Sequence, residues 1–255
     1  MKQKNKLASA VLVLIALVTG TIQIQALEIP EVIPLETWQA KYKYWKASNA
    51  PDLKKADPKN QYRANGDIKF LTFHHVGSSA EGKRQDQEIT AIGNRVWMWH
   101  ARDNTFQEVA YHYIVGDSGR IYKGRPDDIA PASGEYYFPE GDLASATYKE
   151  NGAIALEKPK DAKIPGYNQG HLTICFLVGN QRPSPQALES AAKLAAFLIK
   201  KRNLKTNAMR VHRETANSTC PGDEIHSWLR GSLTPNAHKQ EGEGIKRIKE
   251  LIEEG

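Results

Sequence analysis

The segment HLTICFLVGN, residues 171–180, limits the possible folds more than any other part of the sequence. Apolar residues fall on both of its faces, whereas a strand with one solvated face alternates apolar and polar side chains. Such a strand has to be covered on both sides, so we expect it at the centre of a β-sheet. Cys175 lies inside this apolar run, where a cysteine packs as a small hydrophobic residue.

A helix is predicted directly after this strand, over residues 184–203. Ser184 is a suitable N-cap and Pro185 falls in the first turn, where a proline costs no hydrogen bond. Apolar side chains recur at helical spacing and predict one buried stripe. This stripe consists of Leu188, Ala191, Ala195 and Leu198.

Three segments nearer the N-terminus continue the alternation of strands and helices. DIKFLTFHH, residues 67–75, predicts a strand, and residues 86–102 predict a helix with one apolar face. Residues 109–125 predict a hairpin whose turn is GDSG. DEIHSWLRGSL, residues 223–233, predicts a short further helix. This alternation is typical of an α/β domain built around a central sheet.

The remaining segments set the predicted domain limits. Residues 27–233 are expected to form one domain, which begins with an extended lead-in held by Trp38 and Trp45. Within it, residues 127–167 are less regular and predict a long loop or insertion. Residues 234–255 predict a charged helical tail, weakly amphipathic and solvated.

The first 26 residues have the pattern of a secretory signal peptide. MKQKNK carries three lysines, an uncharged apolar run ends at about Ile22, and the small residue Ala26 follows. The apolar run is shorter than the roughly 20 residues that a membrane span needs. We therefore expect cleavage near Ala26, a periplasmic or secreted protein, and no stable membrane span afterwards. An uncleaved membrane anchor is the alternative.

Cleavage at that point removes three lysines and no acidic residue, so the net charge falls from +6 to +3. A weakly basic chain does not favour nucleic acid as a partner, although it is compatible with an anionic polymer such as a cell wall. Export also places the two cysteines, Cys175 and Cys220, in an oxidising compartment, where a disulfide between them is one possibility.

Histidine and cysteine side chains in an exported protein also suggest zinc, which binds imidazole nitrogen and thiolate sulfur. HRETANSTCPG, residues 212–222, places His212 and Cys220 in a loop that has to fold back to bring them together. A third ligand is expected from the end of a strand, and the pair His74–His75 is the best candidate. Successive strand side chains point to opposite faces, so only one of the two can serve; the Phe70 and Thr72 face favours His74.

Five segments, in this order along the chain, resemble the zinc amidases of the peptidoglycan recognition protein and amidase type 2 family. They are ETWQA (36–40), FLTFHHVG (70–77), VAYHYIVGDSGRIYKGRP (109–126), GYNQGHLTICFLVGN (166–180) and HRETANSTCPG (212–222). The resemblance covers roughly residues 33–232. It implies a mixed sheet flanked by helices and a substrate groove with zinc at its floor.

The resemblance also implies a set of site residues. The ligands would be His74, His212 and Cys220, and Tyr111 matches the family's catalytic tyrosine. Ser218 stands where the family usually has threonine or lysine, and its hydroxyl can still contact substrate. The implied reaction is hydrolysis of the amide between N-acetylmuramic acid and L-alanine of peptidoglycan or muropeptides, as an N-acetylmuramoyl-L-alanine amidase with Zn²⁺ as cofactor.

Two other functions stay open from the sequence. A non-catalytic module that binds peptidoglycan or muropeptides would share the fold, although such members commonly lack the cysteine ligand. A structural protein held by a Cys175–Cys220 disulfide would use up the thiolate that zinc needs. His75 and His112 are expected to pack or form hydrogen bonds rather than bind metal, and the sequence leaves the oligomeric state undetermined.

Overall fold

A mixed sheet of six short strands forms the centre of the protein in the computed structural model, which describes residues 30–41, 64–77, 85–93, 109–133, 149–155 and 168–255. In the described residues the spatial order is β1-β4-β3-β5-β2-β6. The β3–β4 pair is antiparallel and the other neighbours are parallel. The strands are β1 (Val32–Ile33), β2 (Phe70–His75), β3 (Tyr113–Val115), β4 (Ile121–Lys123), β5 (His171–Phe176) and β6 (Met209–Val211).

Helices cover both faces of this sheet. They are α1 (Leu35–Lys41), α2 (Gln85–Ala91), α3 (Pro185–Lys201), α4 (His212–Thr215), α5 (Asp223–Arg230) and α6 (Glu243–Glu254), with short 3₁₀ turns at Thr206–Ala208 and Ala237–Lys239. The larger apolar core joins one face to α3, α5 and α6. The smaller core joins the other face to α1 and α2. The prediction of an α/β domain with a mixed central sheet flanked by helices is therefore confirmed.

β5 occupies the interior position that its sequence predicts. It lies between β3 and β2, and all six of its residues are buried. Leu172, Ile174 and Phe176 enter the larger core, whereas Cys175 enters the smaller one. The continuous apolar sequence reflects burial on two faces rather than one.

Helix α3 begins and packs as the sequence predicts. The Ser184 hydroxyl oxygen accepts a hydrogen bond from the backbone N–H of Ala187 at 3.1 Å, and Pro185 opens the first turn. This bond satisfies one of the backbone donors that a helix N-terminus leaves without an intrahelical partner. All four predicted stripe residues are buried against the sheet.

The β3–β4 hairpin is held from outside by a buried carboxylate. Glu88 of α2 is fully buried and accepts hydrogen bonds from the Ser118 backbone N–H at 2.8 Å and the Tyr122 hydroxyl at 2.7 Å. A Cβ atom at Gly116 would collide with this carboxyl group, so a larger residue there would displace the Glu88 carboxylate. The GDSG segment therefore supplies both the turn and the docking point for α2.

The N-terminal lead-in is anchored through Trp38, as predicted. Its indole is fully buried and donates a hydrogen bond from Nε1 to the Lys123 backbone oxygen at 2.8 Å. Strand β1 pairs in parallel with β4 at the edge of the sheet. Trp45, the signal segment 1–26, the end of the predicted helix 86–102 and most of the insertion 127–167 lie outside the described residues.

The prediction that residues 234–255 form a solvated helix is wrong about the exposure. Helix α6 buries three residues in the same core as α3 and α5: Ile245, Ile248 and Leu251. Its Arg247 also donates two hydrogen bonds to the Glu189 carboxylate of α3, at 3.0 and 3.1 Å. The segment is highly charged, but its apolar residues recur at helical spacing and form one buried stripe.

We predict that Ile248→Ala lowers the free energy of unfolding by about 2–5 kcal/mol, because it removes buried methylene groups and leaves a cavity. Ile248 is fully buried, whereas Glu253 on the same helix is exposed. The control Glu253→Ala should change the value by less than about 0.5 kcal/mol. Urea denaturation followed by circular dichroism measures both, and equal values for the two variants would contradict a packed α6.

Candidate metal centre

The parallel pairing of β2 with β6 brings two histidines to the same edge of the sheet. Phe73 of β2 is aligned with Val211 of β6. Each strand then continues directly into a histidine, His74 in β2 and His212 at the start of α4. Parallel neighbours end at one edge of a sheet, and the two imidazole rings accordingly lie with their centroids 4.5 Å apart.

Cys220 reaches the same point through the loop that follows α4. Its sulfur accepts a hydrogen bond from the His75 backbone N–H at 3.4 Å and lies 3.6 Å from His74 Nδ1. One ligand-type atom from each of His74, His212 and Cys220 lies within 4.8 Å of the other two. The structure thus brings together all three residues that the sequence predicts as metal ligands.

Burial keeps the His74 imidazole neutral. The ring is fully buried, and this desolvation, followed by the nearby His75, lowers its pKa to about 3. A neutral imidazole presents the nitrogen lone pair that a metal ion requires. Two imidazoles and a thiol are also the donor types that zinc prefers, so the chemistry of the cluster fits this ion.

His75 points away from the cluster, as strand alternation predicts. Its ring is half-buried, and its Nε2 lies 3.4 Å from the Asn180 side-chain oxygen. Burial lowers the pKa of this histidine as well. Within the described residues, the group of candidate ligands contains His74 and leaves His75 out.

Tyr111 lies beside the cluster, just before β3. Its ring centroid is 5.1 Å from that of His74, and the residue is 7% exposed. Cys175 aligns with His74 in the β2–β5 register and packs in the same small core as Tyr111. Both cysteines are free thiols, so the Cys175–Cys220 disulfide is not formed. Burial raises the pKa of the Cys175 thiol, and the neighbouring Cys220 adds to this shift.

Ser218 lies within the loop that carries Cys220 and bonds to its backbone. Its hydroxyl oxygen accepts a hydrogen bond from the Cys220 backbone N–H at 3.0 Å, and the side chain is half-buried. The hydroxyl proton is not used by this bond. The serine is therefore placed to orient the backbone of Cys220.

The family profile described as N-acetylmuramoyl-L-alanine amidase, Amidase_2, matches residues 64–223, a range that contains every residue of the cluster and Tyr111. The chain belongs to this family.

Named relatives of this amidase-family chain are recognition proteins. Peptidoglycan recognition protein 3 of Mus musculus is 22% identical over 205 residues, which cover 79% of this chain and 45% of the relative. Peptidoglycan-recognition protein SD of Drosophila simulans is 25% identical over 128 residues, 49% of this chain and 52% of the relative. The chain thus spans about half the length of these curated relatives.

Solved structures of the same kind share the fold of the amidase-family domain. Drosophila peptidoglycan recognition protein SD superposes with a TM-score of 0.53 at 18% identity, covering 78% of this chain and 95% of that one. The ectodomain complex of proteins LCa and LCx bound to tracheal cytotoxin gives 0.51 at 21% identity, covering 76% and 92%. At these identities the likeness establishes the fold alone.

Arg213 is the site residue that sequence reasoning missed. It follows the candidate ligand His212 directly, is 1% exposed, and donates hydrogen bonds to three separate groups around the loop. The available signal is an arginine directly after the candidate ligand His212, since a guanidinium that becomes buried needs several acceptors. Two of its acceptors, on Thr219 and Asp223, lie 6 and 10 positions away, whereas the third, on Asn151, lies 62 positions away, so no local pattern identifies the set.

His112 is a hydrogen-bonded histidine, as the sequence predicts. Its Nδ1 lies 2.9 Å from the Thr173 hydroxyl and its Nε2 lies 2.8 Å from the Ile129 backbone oxygen. Burial and then Lys123 lower its pKa to about 3, and burial is also the main cause that lowers the pKa of His226 to about 4.

We predict that the free energy of unfolding falls as the pH is lowered from about 6.5 to 4. In this window His112 and His226 stay neutral in the folded protein but protonate in the unfolded chain, whose histidines have a pKa near 6.5. The unfolded state then binds more protons, so each histidine costs about 1.4 kcal/mol per pH unit. Urea denaturation across this range should show a shallower slope for His112→Gln. A flat profile would contradict the prediction.

Proposed function

We propose that this protein is a zinc-dependent N-acetylmuramoyl-L-alanine amidase, which hydrolyses the amide between N-acetylmuramic acid and L-alanine in peptidoglycan or muropeptides. The observation that carries the proposal is the cluster of His74, His212 and Cys220 beside Tyr111, inside an amidase-family domain. A catalytic zinc site uses three protein ligands and leaves one position open. The cluster supplies that number of ligands, and the metal would lie at the floor of a substrate groove.

The proposed chemistry divides between the ion and the chain. Zinc, when bound, supplies Lewis acidity that polarises a carbonyl group and makes water a better nucleophile at neutral pH. The Tyr111 hydroxyl donates a hydrogen bond to the scissile carbonyl oxygen, where negative charge develops during attack. The Ser218 hydroxyl contacts the substrate and holds the Cys220 N–H. His74 stays neutral at working pH because of its burial.

A binding module without hydrolysis is the second candidate. The relatives named above are recognition proteins, and the LE protein among the solved structures is in complex with tracheal cytotoxin, a monomeric diaminopimelic acid-type peptidoglycan. The cysteine ligand favours catalysis in this chain, since family members that only bind commonly lack it. Both candidates share a muropeptide partner, so the decisive measurement is bond cleavage rather than binding.

Export is part of the proposal. A substrate in the cell wall requires a periplasmic or secreted enzyme, and the signal pattern of residues 1–26, with cleavage near Ala26, would provide it. Among the described residues no helix has the length and apolar character of a membrane span.

We predict that the purified protein releases stem peptide with a free L-alanine amino terminus from a muramyl peptide or from sacculi. Chelator should abolish the release and zinc should restore it. Cys220→Ser should lose both zinc and activity, because a thiolate ligand is removed. The matched control Cys175→Ser should keep its zinc, since Cys175 is absent from the ligand cluster of the described residues.

Mass spectrometry of the products and metal analysis of each variant provide the readout. Tight binding of the muropeptide by zinc-loaded protein, with the peptide left attached to the sugar, would overturn the amidase proposal and favour the binding module.

We predict separately that Tyr111→Phe keeps the metal and the fold but lowers kcat by about 100- to 1000-fold. This is the usual cost of losing one hydrogen-bond donor to a developing oxyanion. The zinc content and the unfolding midpoint serve as controls. A rate unchanged by the substitution would restrict Tyr111 to a packing role.

A further inference from the structure

Part of the insertion is docked on the loop that carries the candidate ligands. The described segment 149–155, here called the buttress, donates a hydrogen bond from the Ile154 backbone N–H to the Arg213 backbone oxygen at 2.7 Å. Lys149 Nζ also donates to the Asn217 side-chain oxygen at 2.7 Å. The buttress therefore contacts both the start and the middle of the stretch between His212 and Cys220.

The Arg213 side chain joins the buttress to both ends of this loop. Its guanidinium donates to the Asn151 backbone oxygen at 2.8 Å, the Thr219 backbone oxygen at 2.6 Å and the Asp223 carboxylate at 3.0 Å. Its own backbone N–H donates to the Cys220 backbone oxygen at 2.9 Å. These bonds close the loop on itself and fix it to the buttress.

The cost of burying Arg213 has to be offset by its hydrogen bonds, so the positions of its acceptors matter. Burial of a cation is costly unless several acceptors replace its water. Arg213 is 1% exposed, and two of its three side-chain acceptors are backbone carbonyls rather than carboxylates. The planar fork of a guanidinium can reach such separated acceptors at once, whereas a lysine ammonium cannot reproduce this arrangement.

We propose that Arg213 is a positioning residue which, together with the buttress, holds Cys220 at the correct distance from His74 and His212. The proposal rests on the metal-binding function proposed above and assigns a role to residues 149–155 of the insertion. Removing a group that orients a metal ligand typically weakens metal binding 10- to 100-fold. Arg213 acts on the ligand through the backbone of the loop.

Gly152 offers a way to disturb the buttress without changing the loop. It has φ +74°, and a Cβ atom there would lie 3.0 Å from the His226 ring. Gly152→Ala should therefore shift the buttress while leaving Arg213 and every ligand intact. Gly66 is the matched control, since it has φ +68° and no atom within 4 Å of an added Cβ.

The experiment measures two quantities on the purified protein and its variants. One is zinc affinity, by competition with a chromogenic chelator. The other is the rate at which iodoacetamide alkylates Cys220 in metal-free protein, with the fully buried Cys175 as internal reference. Variants Arg213→Gln, Arg213→Lys and Gly152→Ala are compared with the controls Gly66→Ala and Arg182→Gln, the latter removing an exposed ion pair with Glu243.

We expect Arg213→Gln to weaken zinc binding 10- to 100-fold and to accelerate alkylation of Cys220. Arg213→Lys should restore little of this, and Gly152→Ala should act in the same direction. The double variant Arg213→Gln/Gly152→Ala should lose less zinc affinity than the two single losses combined, because both substitutions act through one contact. Both controls should stay at wild-type values.

Folded Arg213→Gln protein with wild-type zinc affinity and alkylation rate would overturn the positioning role. If that variant fails to fold, Gly152→Ala decides the question by the same two measurements. A wild-type protein that binds no zinc would overturn the proposed function instead, and the alkylation rates would still decide whether Arg213 positions Cys220.

Discussion

The parallel pairing of β2 with β5 on one side and β6 on the other determines where the functional side chains lie. Parallel strands need long crossover connections, and α3 supplies the one from β5 to β6 while it covers one face of the sheet. The carboxyl ends of the three strands then meet at one edge. His74 is the fifth residue of β2 and His212 follows β6, so their meeting is a result of register rather than of loop folding.

The two faces of the sheet carry apolar cores of different size. One face carries the large core with α3, α5 and α6, which accounts for most of the buried apolar side chains. The other carries a smaller cluster around Trp38, and it is on this side that Tyr111 and Cys175 pack near His74. The site thus borders a water-poor region. Water exclusion depresses the pKa of His74, and it would also strengthen any hydrogen bond from Tyr111 to a developing charge.

Features that depend on local sequence were predictable, and those that depend on distant contacts were not. The Ser184 cap, the GDSG turn and the choice of His74 over His75 follow from side-chain chemistry and strand alternation, and the structure agrees with each. The sequence predicts a solvated α6 because its charged residues outnumber the three apolar residues that the structure buries. The hydrogen bonds of Arg213 could not be predicted, because its acceptors lie 6, 10 and 62 positions away and only the fold brings them together.

The separation of the ligand residues along the chain has a thermodynamic consequence. His74 and Cys220 are 146 positions apart, so the unfolded chain holds them together only at the entropic cost of closing a very long loop. An ion that needs all three side chains would therefore bind the native state and not the unfolded chain. By mass action, an ion present at 100 times its dissociation constant would add about 2.7 kcal/mol to the stability of the fold. Metal supply would then change the fraction of the protein that is unfolded and open to proteases, apart from any effect on its chemistry.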